Sequence, residues 1–296
     1  MRIISLLPSA TEILFELGLG DHVVGVTFEC DFPAEAKSKR IVSTSALPEN
    51  LTPGEIDAIV KERMDAGEDL YRLDRGAFAD LDPDLVITQD LCAVCAVDVS
   101  EVDDALAFLA CSADVVTLDP MSLDEVIESI STVAKATGTN AQADTIKRDL
   151  RARLTQVANV SAGKSQPKVL VLEWTDPAFT AGHWVPDLVE AAGGQSLLGK
   201  PGENSVGVEW ETISSCDADI VVVSPCGFGL DGAAELGDHV VAKGVLPAHA
   251  AVWAIDADAF MVRPGPRVVE GVEVLATILD PERHGTPDPT KARRLR

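Results

Sequence analysis

The chain has 296 residues and a formal charge of −24, from 48 acids against 24 bases. That balance argues against nucleic acid and anionic membrane surfaces as partners. A composition 46% hydrophobic and 24% charged is that of a globular chain long enough for two lobes with substantial cores, and no apolar run reaches the ~18 residues that would predict membrane insertion.

The first residues, Met1-Arg-Ile-Ile-Ser-Leu-Leu-Pro8, enter a strand over 2–6. They carry no basic leader and no small-residue cleavage site, which predicts a cytoplasmic protein, or an extracytoplasmic one if a leader is missing. Ser9-Ala-Thr-Glu12 has capping-box spacing and opens a helix through Leu17. Strands follow at 23–27 and 41–44, an amphipathic helix at 56–65, a helical turn at 78–81, and strands at 84–88 and 114–118. From Ser122 to Val160 the helical period is almost continuous, broken only at Gly138, as one or two long helices would be. A second series has strands at 169–172, 219–223 and 251–255 and helices at 186–192, 210–215 and 266–279. This alternation predicts an α/β fold of two mostly parallel lobes: an N-terminal lobe over 1–121, a bridging helix over 122–160, a C-terminal lobe over 161–280 and a flexible tail over 281–296.

The residues with chemistry collect after the strands, at the edge where open α/β sheets hold ligands. Cys92-Ala-Val-Cys95 follows strand 84–88, Cys30 follows strand 23–27, and Cys226 follows strand 219–223. By itself Cys-x-x-Cys fits a metal half-site, a redox pair or a disulfide. Four thiolates are the usual ligand set of tetrahedral zinc or of an iron–sulfur cluster, so Cys30, Cys92, Cys95 and Cys226 are the candidate metal site, with thiol-lined packing as the competing reading. Cys111 and Cys216 precede strands and read as small core residues. Two of the four tryptophans, Trp174 and Trp184, fall in one βα loop with Phe179, in a chain only 4% aromatic. Aromatics at a strand edge suit a flat or bulky organic ligand; a hydrophobic lid is the plainer alternative. Phe260 could line the same cleft, and Arg263 either pairs with an anionic group or offsets nearby acids. There is no phosphate-binding glycine loop, nucleophile elbow or His-Glu-x-x-His pair, so no hydrolytic or kinase site is marked.

Several segments carry a resemblance: Arg2-Ile-Ile-Ser-Leu-Leu-Pro-Ser-Ala-Thr-Glu-Ile-Leu14, Leu17-Gly, Val24-Gly-Val, Leu81-Asp-Pro-Asp-Leu-Val-Ile-Thr88, Glu190-Ala-Ala-Gly-Gly194 and Arg263-Pro-Gly-Pro-Arg267. The chain resembles, over about residues 2–279, the cobalamin and metal-chelate class of solute-binding proteins of ABC importers. The resemblance implies two Rossmann-like lobes joined by a long helix, a class III periplasmic-binding-protein fold. It implies a binding protein, not an enzyme, holding cobalamin or another bulky metal chelate in the interlobe cleft. Trp174, Phe179, Trp184, Phe260 and Arg263 would line it, with Phe28 opposite. A cytoplasmic metalloprotein or redox enzyme using the four thiols is the alternative, and an importer receptor with a missing leader the third reading. Such receptors dock a permease through one acid on each lobe. Glu211 matches on the second lobe, but Gly76, with Asp74 nearby, stands at the first-lobe position. The pattern therefore suggests a cytoplasmic branch that does not engage a permease.

Overall fold

The structure is a computed structural model that describes residues 1–48, 50–66, 68, 70–78, 80–89 and 113–296. The described chain falls into two compact units, one of residues 1–119 and 127–147, the other of residues 120–126 and 148–296.

In the first unit the order is β1 (Ile3–Ser5), α1 (Pro8–Glu16), β2 (Val23–Val26), β3 (Arg40–Ile41), β4 (Ser43–Ser45), α2 (Pro53–Ala66), β5 (Tyr71–Leu73), α3 (Arg75–Phe78), β6 (Leu85–Thr88) and β7 (Asp114–Thr117). Five of the strands form a parallel sheet in the order β3-β2-β1-β6-β7, while β4 and β5 pair antiparallel in a separate ribbon. The central strands β1 and β6 are buried at every position, as strands of a parallel sheet covered on both faces must be. Ile4, Leu6 and Val86 pack there against Val42, Phe78 and Leu81.

Helix starts differ from the sequence reading in an instructive way. The Ser9–Glu12 capping box does not form: α1 begins one residue earlier, with Pro8 in its first turn, Leu7 at the N-cap and Ser9, Thr11 and Glu12 all buried. Proline needs no partner for the amide it lacks, so the first turn closes without a side-chain cap. The reciprocal cap lies instead at Thr52 and Glu55. There the Thr52 amide and hydroxyl both donate to Glu55 Oε2 (2.8 and 2.7 Å), and the Glu55 amide returns to Thr52 Oγ1 at 3.4 Å.

The bridging stretch over 122–160, expected as one or two long helices, is two helices, α4 (Leu123–Thr137) and α5 (Asn140–Ser161). Between them Gly138 has φ +74°, a left-handed conformation that ends α4 and that glycine adopts without a Cβ penalty. Leu123, Val126, Ile127, Ile130, Val133 and Ala134 give α4 one buried stripe at three- and four-residue spacing.

The second unit continues with β8 (Lys168–Thr175), β9 (Ala178–Thr180), α6 (Val185–Ala191), β10 (Gln195–Leu197), β11 (Val206–Gly207), α7 (Trp210–Ser215), β12 (Ile220–Val223), α8 (Leu230–Lys243), β13 (Ala251–Ile255), α9 (Ala257–Phe260), α10 (Val268–Leu279), α11 (Pro281–His284) and β14 (Ala292–Arg294). Its sheet runs β11-β9-β8-β12-β13-β14, with β10 pairing alongside the first half of β8. Strands β8, β12 and β13 are parallel, and β9 folds back antiparallel on the second half of β8.

Two features of this unit escape sequence reading. Helix α8 buries Ala233, Ala234, Gly237 and Val240, a face of mostly small residues that gives little hydrophobic signal. A Cβ at Gly237 would overlap the Leu295 side chain, so this face must be small where Leu295 packs against it. The tail over 281–296, expected to be flexible, forms α11 and then β14, which pairs antiparallel with β13 through Trp253↔Arg294 and Ile255↔Ala292. The guanidinium of Arg296 donates to the carbonyls of Pro247 (2.6 Å) and Ala250 (3.1 Å). A basic, proline-bearing segment has no strand pattern of its own; the exposed edge of β13 imposes one.

Candidate ligand site

Each unit presents a strand-carboxyl edge of the kind that holds ligands in α/β sheets. In the first unit this edge is lined by polar groups bonded to one another. The Thr11 hydroxyl lies 2.9 Å from Ser5 Oγ, 3.2 Å from the Leu7 carbonyl and 3.0 Å from Cys30 Sγ, and Ser5 Oγ donates to the Leu7 carbonyl at 3.0 Å. Thr27 Oγ1 and Ser43 Oγ are 2.7 Å apart. All five side chains are buried, Cys30 at 4% exposure. Beyond them Phe28 is 39% exposed. Its ring centroid is 5.9 Å from that of Tyr71, whose hydroxyl donates to Glu29 Oε2 at 3.0 Å.

The edge of the second unit is built differently. Glu173, near the end of β8, accepts a hydrogen bond from Ser205 Oγ and one from the Gly182 amide. Its side chain is partly exposed, yet burial of the carboxyl dominates over both bonds and pushes its pKa up to about 7. Gly182 explains how the segment carrying Ser205 comes so close. A Cβ there would overlap the backbone of Glu203, Asn204 and Ser205, and the His183 amide donates to the Glu203 carbonyl at 2.6 Å. His183 sits at φ +52°, and burial lowers its imidazole pKa, partly offset by a bond with the Asn204 side chain.

Across the strand pair, the Ser224 amide continues the β12–β8 ladder to the Leu172 carbonyl at 2.9 Å, which puts Ser224 beside Glu173. Ser224 Oγ is fully buried and has no hydrogen-bond partner among the described residues. The next turn carries Cys226, exposed, and Phe228, whose ring centroid is 5.9 Å from that of Trp174. The Trp174 indole NH donates to the Asp176 carbonyl at 3.1 Å.

The residues singled out by sequence divide accordingly. Trp174 and Phe179 lie together on the β8–β9 hairpin, both partly exposed. Trp184 is 7% exposed and its indole NH donates to the Met261 carbonyl at 2.7 Å, which ties α6 to the residue after α9. Phe260 is buried as well, with Lys291 Nζ 5.9 Å from its ring centroid. Arg263 lies 3.6 Å from Asp258, which also accepts from the Gly227 amide at 3.1 Å. Phe28 and Cys30 belong to the first unit, Cys226 to the second, and Cys92 and Cys95 lie outside the described residues. Among the described residues no group of three or more His, Cys, Asp or Glu side chains is placed to hold a metal ion. Sequence reasoning missed Glu173, Ser205, Ser224 and Phe228. Phe228 had a signal, standing two residues after Cys226; Ser205 had none, because only the close approach at Gly182 brings it to the edge.

A family model described as periplasmic binding protein matches residues 3–251. An uncharacterized ABC transporter substrate-binding lipoprotein of Bacillus subtilis, YvrC, is 27% identical over 95% of the chain and 80% of its own length. A cobalamin-binding protein of Halobacterium salinarum is 26% identical over 93% of the chain and 68% of its own length. Among solved structures, a periplasmic heme-binding protein from Pseudomonas aeruginosa superimposes with a TM-score of 0.71 at 19% identity, covering 100% of the chain and 95% of that protein; this likeness is one of fold. These findings overturn the cytoplasmic expectation. It rested on the character of the first residues and on Gly76 at the place of a docking acid, whereas the match over 3–251 is to a family of periplasmic proteins and one relative is a lipoprotein.

Proposed function

The chain belongs to the periplasmic binding protein family, and on that premise we propose that it binds a bulky metal chelate of the corrinoid (cobalamin) type and presents it to an ABC permease. As a solute-binding protein it carries a ligand and does not transform it. The observation that carries the ligand class is the partly exposed pair Trp174 and Phe228 at the edge of the second sheet, 5.9 Å between centroids. Ring faces of this kind suit a broad macrocycle better than a small, strongly hydrated ion. The corrinoid choice draws on the name of the Halobacterium salinarum relative, and the permease on that of the Bacillus subtilis one.

Titration of cyanocobalamin into the purified protein, followed by tryptophan fluorescence, tests this. The expected dissociation constant is at or below about 1 μM, and Trp174→Ala should weaken it by up to about tenfold through loss of ring contact. Saturation by haemin with no response to cyanocobalamin would move the ligand to the porphyrins. No response to either at about 100 μM would reject the metal-chelate reading.

A further inference from the structure

The macrocycle reading leaves one part of the second unit unused. Glu173 is an ionisable group at a ligand edge whose hydrogen-bond partners are a hydroxyl and an amide, not a cation. On the neighbouring strand, across the ladder from Glu173, Ser224 Oγ is a buried hydroxyl with no hydrogen-bond partner among the described residues. Buried polar groups are nearly always paired, so an orphan next to a desolvated carboxyl is an unusual combination. We propose that Glu173, with Ser205 and Ser224, is a polar subsite that receives a primary amide on the rim of the ligand and discriminates against a carboxylate at the same place. The inference rests on the metal-chelate reading and deepens it, since it assigns the chemistry of the ligand's periphery.

A primary amide supplies what each group lacks. Its N–H bonds are donors for the ionised carboxyl of Glu173, a charge-assisted bond in a setting that water only partly reaches. Its carbonyl is an acceptor for a serine hydroxyl. A ligand carboxylate offers no donor and adds a second negative charge beside the first. Three cations of the same unit already have acid partners. Arg263 lies against Asp258 at 3.6 Å, Lys291 against Glu270 at 2.6 Å and Lys200 against Glu203 at 3.1 Å. On the element carrying Ser205 the other ionisable groups are Lys200 and Glu203. In the β8–β9 turn there is Asp176, and after β9 His183, the imidazole held toward neutrality by burial; after β12 there is Cys226, and after β13 Asp256, which caps α9 through the Ala259 amide at 2.9 Å.

Two corrinoids with one macrocycle and different rims provide the test: dicyanocobinamide, whose periphery is amide, and dicyanocobyrinic acid, whose periphery is carboxylate. Affinities are measured by calorimetry for the wild type, Glu173→Gln and Ser205→Ala at pH 6 and pH 8. At pH 8 the wild type should prefer the amide rim, and Glu173→Gln should narrow that preference by about tenfold or more, chiefly by tightening the carboxylate. At pH 6, where the Glu173 carboxyl is protonated, the wild-type preference should itself narrow, while that of Glu173→Gln should not move. Ser205→Ala, which keeps the charge, should retain most of the wild-type pH response. A preference unchanged within about twofold in Glu173→Gln, with both corrinoids bound, overturns the subsite and leaves the macrocycle reading standing. If neither corrinoid binds the wild type, both fall together.

Discussion

The two carboxyl edges use buried polar groups in opposite ways. In the first unit Ser5, Thr11, Cys30, Thr27 and Ser43 satisfy one another, and each hydroxyl or thiol is within reach of a partner on a neighbouring element. In the second unit Glu173 holds its proton toward neutral pH and Ser224 Oγ goes unpaired. The sheets are alike in being parallel at their centres, so strand architecture does not account for the difference. A closed network stabilises its own unit, whereas an open one reduces stability and leaves hydrogen-bonding capacity for another molecule.

The comparison breaks most readily at Gly182. A methyl there has no free space, because the backbone of Glu203, Asn204 and Ser205 lies within overlap and cannot escape by a rotamer change. Gly182→Ala should cost about 3 kcal/mol, the upper end of ordinary overpacking, and should release Ser205 from Glu173. Chemical denaturation with ligand titration on the same variant checks both effects; a fully stable variant with normal binding would show that the close approach is not needed.

The next effect is set by pH. Below pH 4.5 the Glu173 carboxyl is protonated in the folded and unfolded chain alike, and above about 7 it is ionised in both. Between those limits only the unfolded chain has lost the proton, so the folded state binds more protons and its stability falls as pH rises. Allowing for partial exposure, the loss attributable to this group is about 2 kcal/mol. Glu173→Gln should remove that slope, so its stability relative to wild type should climb from pH 5 to pH 8 and then level. Urea midpoints at four pH values measure it, and parallel curves for the two proteins would refute the burial of the carboxyl.

In the first unit the matching change is Thr11→Val, which keeps shape and deletes the hydroxyl shared by Ser5 and Cys30. It should cost ~1.5 kcal/mol, with no added pH dependence between 5 and 8, since only uncharged partners are left behind. The smallest effect comes from salt. Raising ionic strength from 0.1 to 1 M shortens the screening length from ~10 to ~3 Å and should stabilise a chain of charge −24 as a whole. The difference between wild type and Glu173→Gln should change by less than about 0.5 kcal/mol, because the carboxyl is enclosed. A larger change would mean that the site feels the surface charge.

Much of the fold was legible because its strands are continuous apolar runs and its long helices strongly periodic. Leu85–Thr88 and Ile220–Val223 stand almost where hydrophobicity places them. What was missed had a physical reason in each case. Helix α8 packs through alanine and glycine, which carry little hydrophobic signal. Strand β14 is a strand only because β13 offers it an edge. The site was legible in part: Trp174 and Phe179 could be picked out as rare aromatics after a strand, but Trp184 and Phe260 are equally rare and are buried. Composition cannot tell a ring that faces solvent from one that fastens two helices together. Glu173 gave no signal of its own, since a carboxylate in so acidic a chain attracts no notice until its surroundings are known.

Strand β14 also bears on how the protein fails. It covers the outer edge of β13, whose sequence Ala-Val-Trp-Ala-Ile is apolar, uncharged and free of proline. Segments of that composition, once bared, recruit further strands and seed aggregates. The two arginines of β14, one of them 2.7 Å from Asp231, therefore act as gatekeepers at the sheet margin. A proteolytic nick in the mostly exposed stretch 285–290, followed by loss of the last strand, would turn a highly charged, well-dispersed protein into one that precipitates from its edge inward.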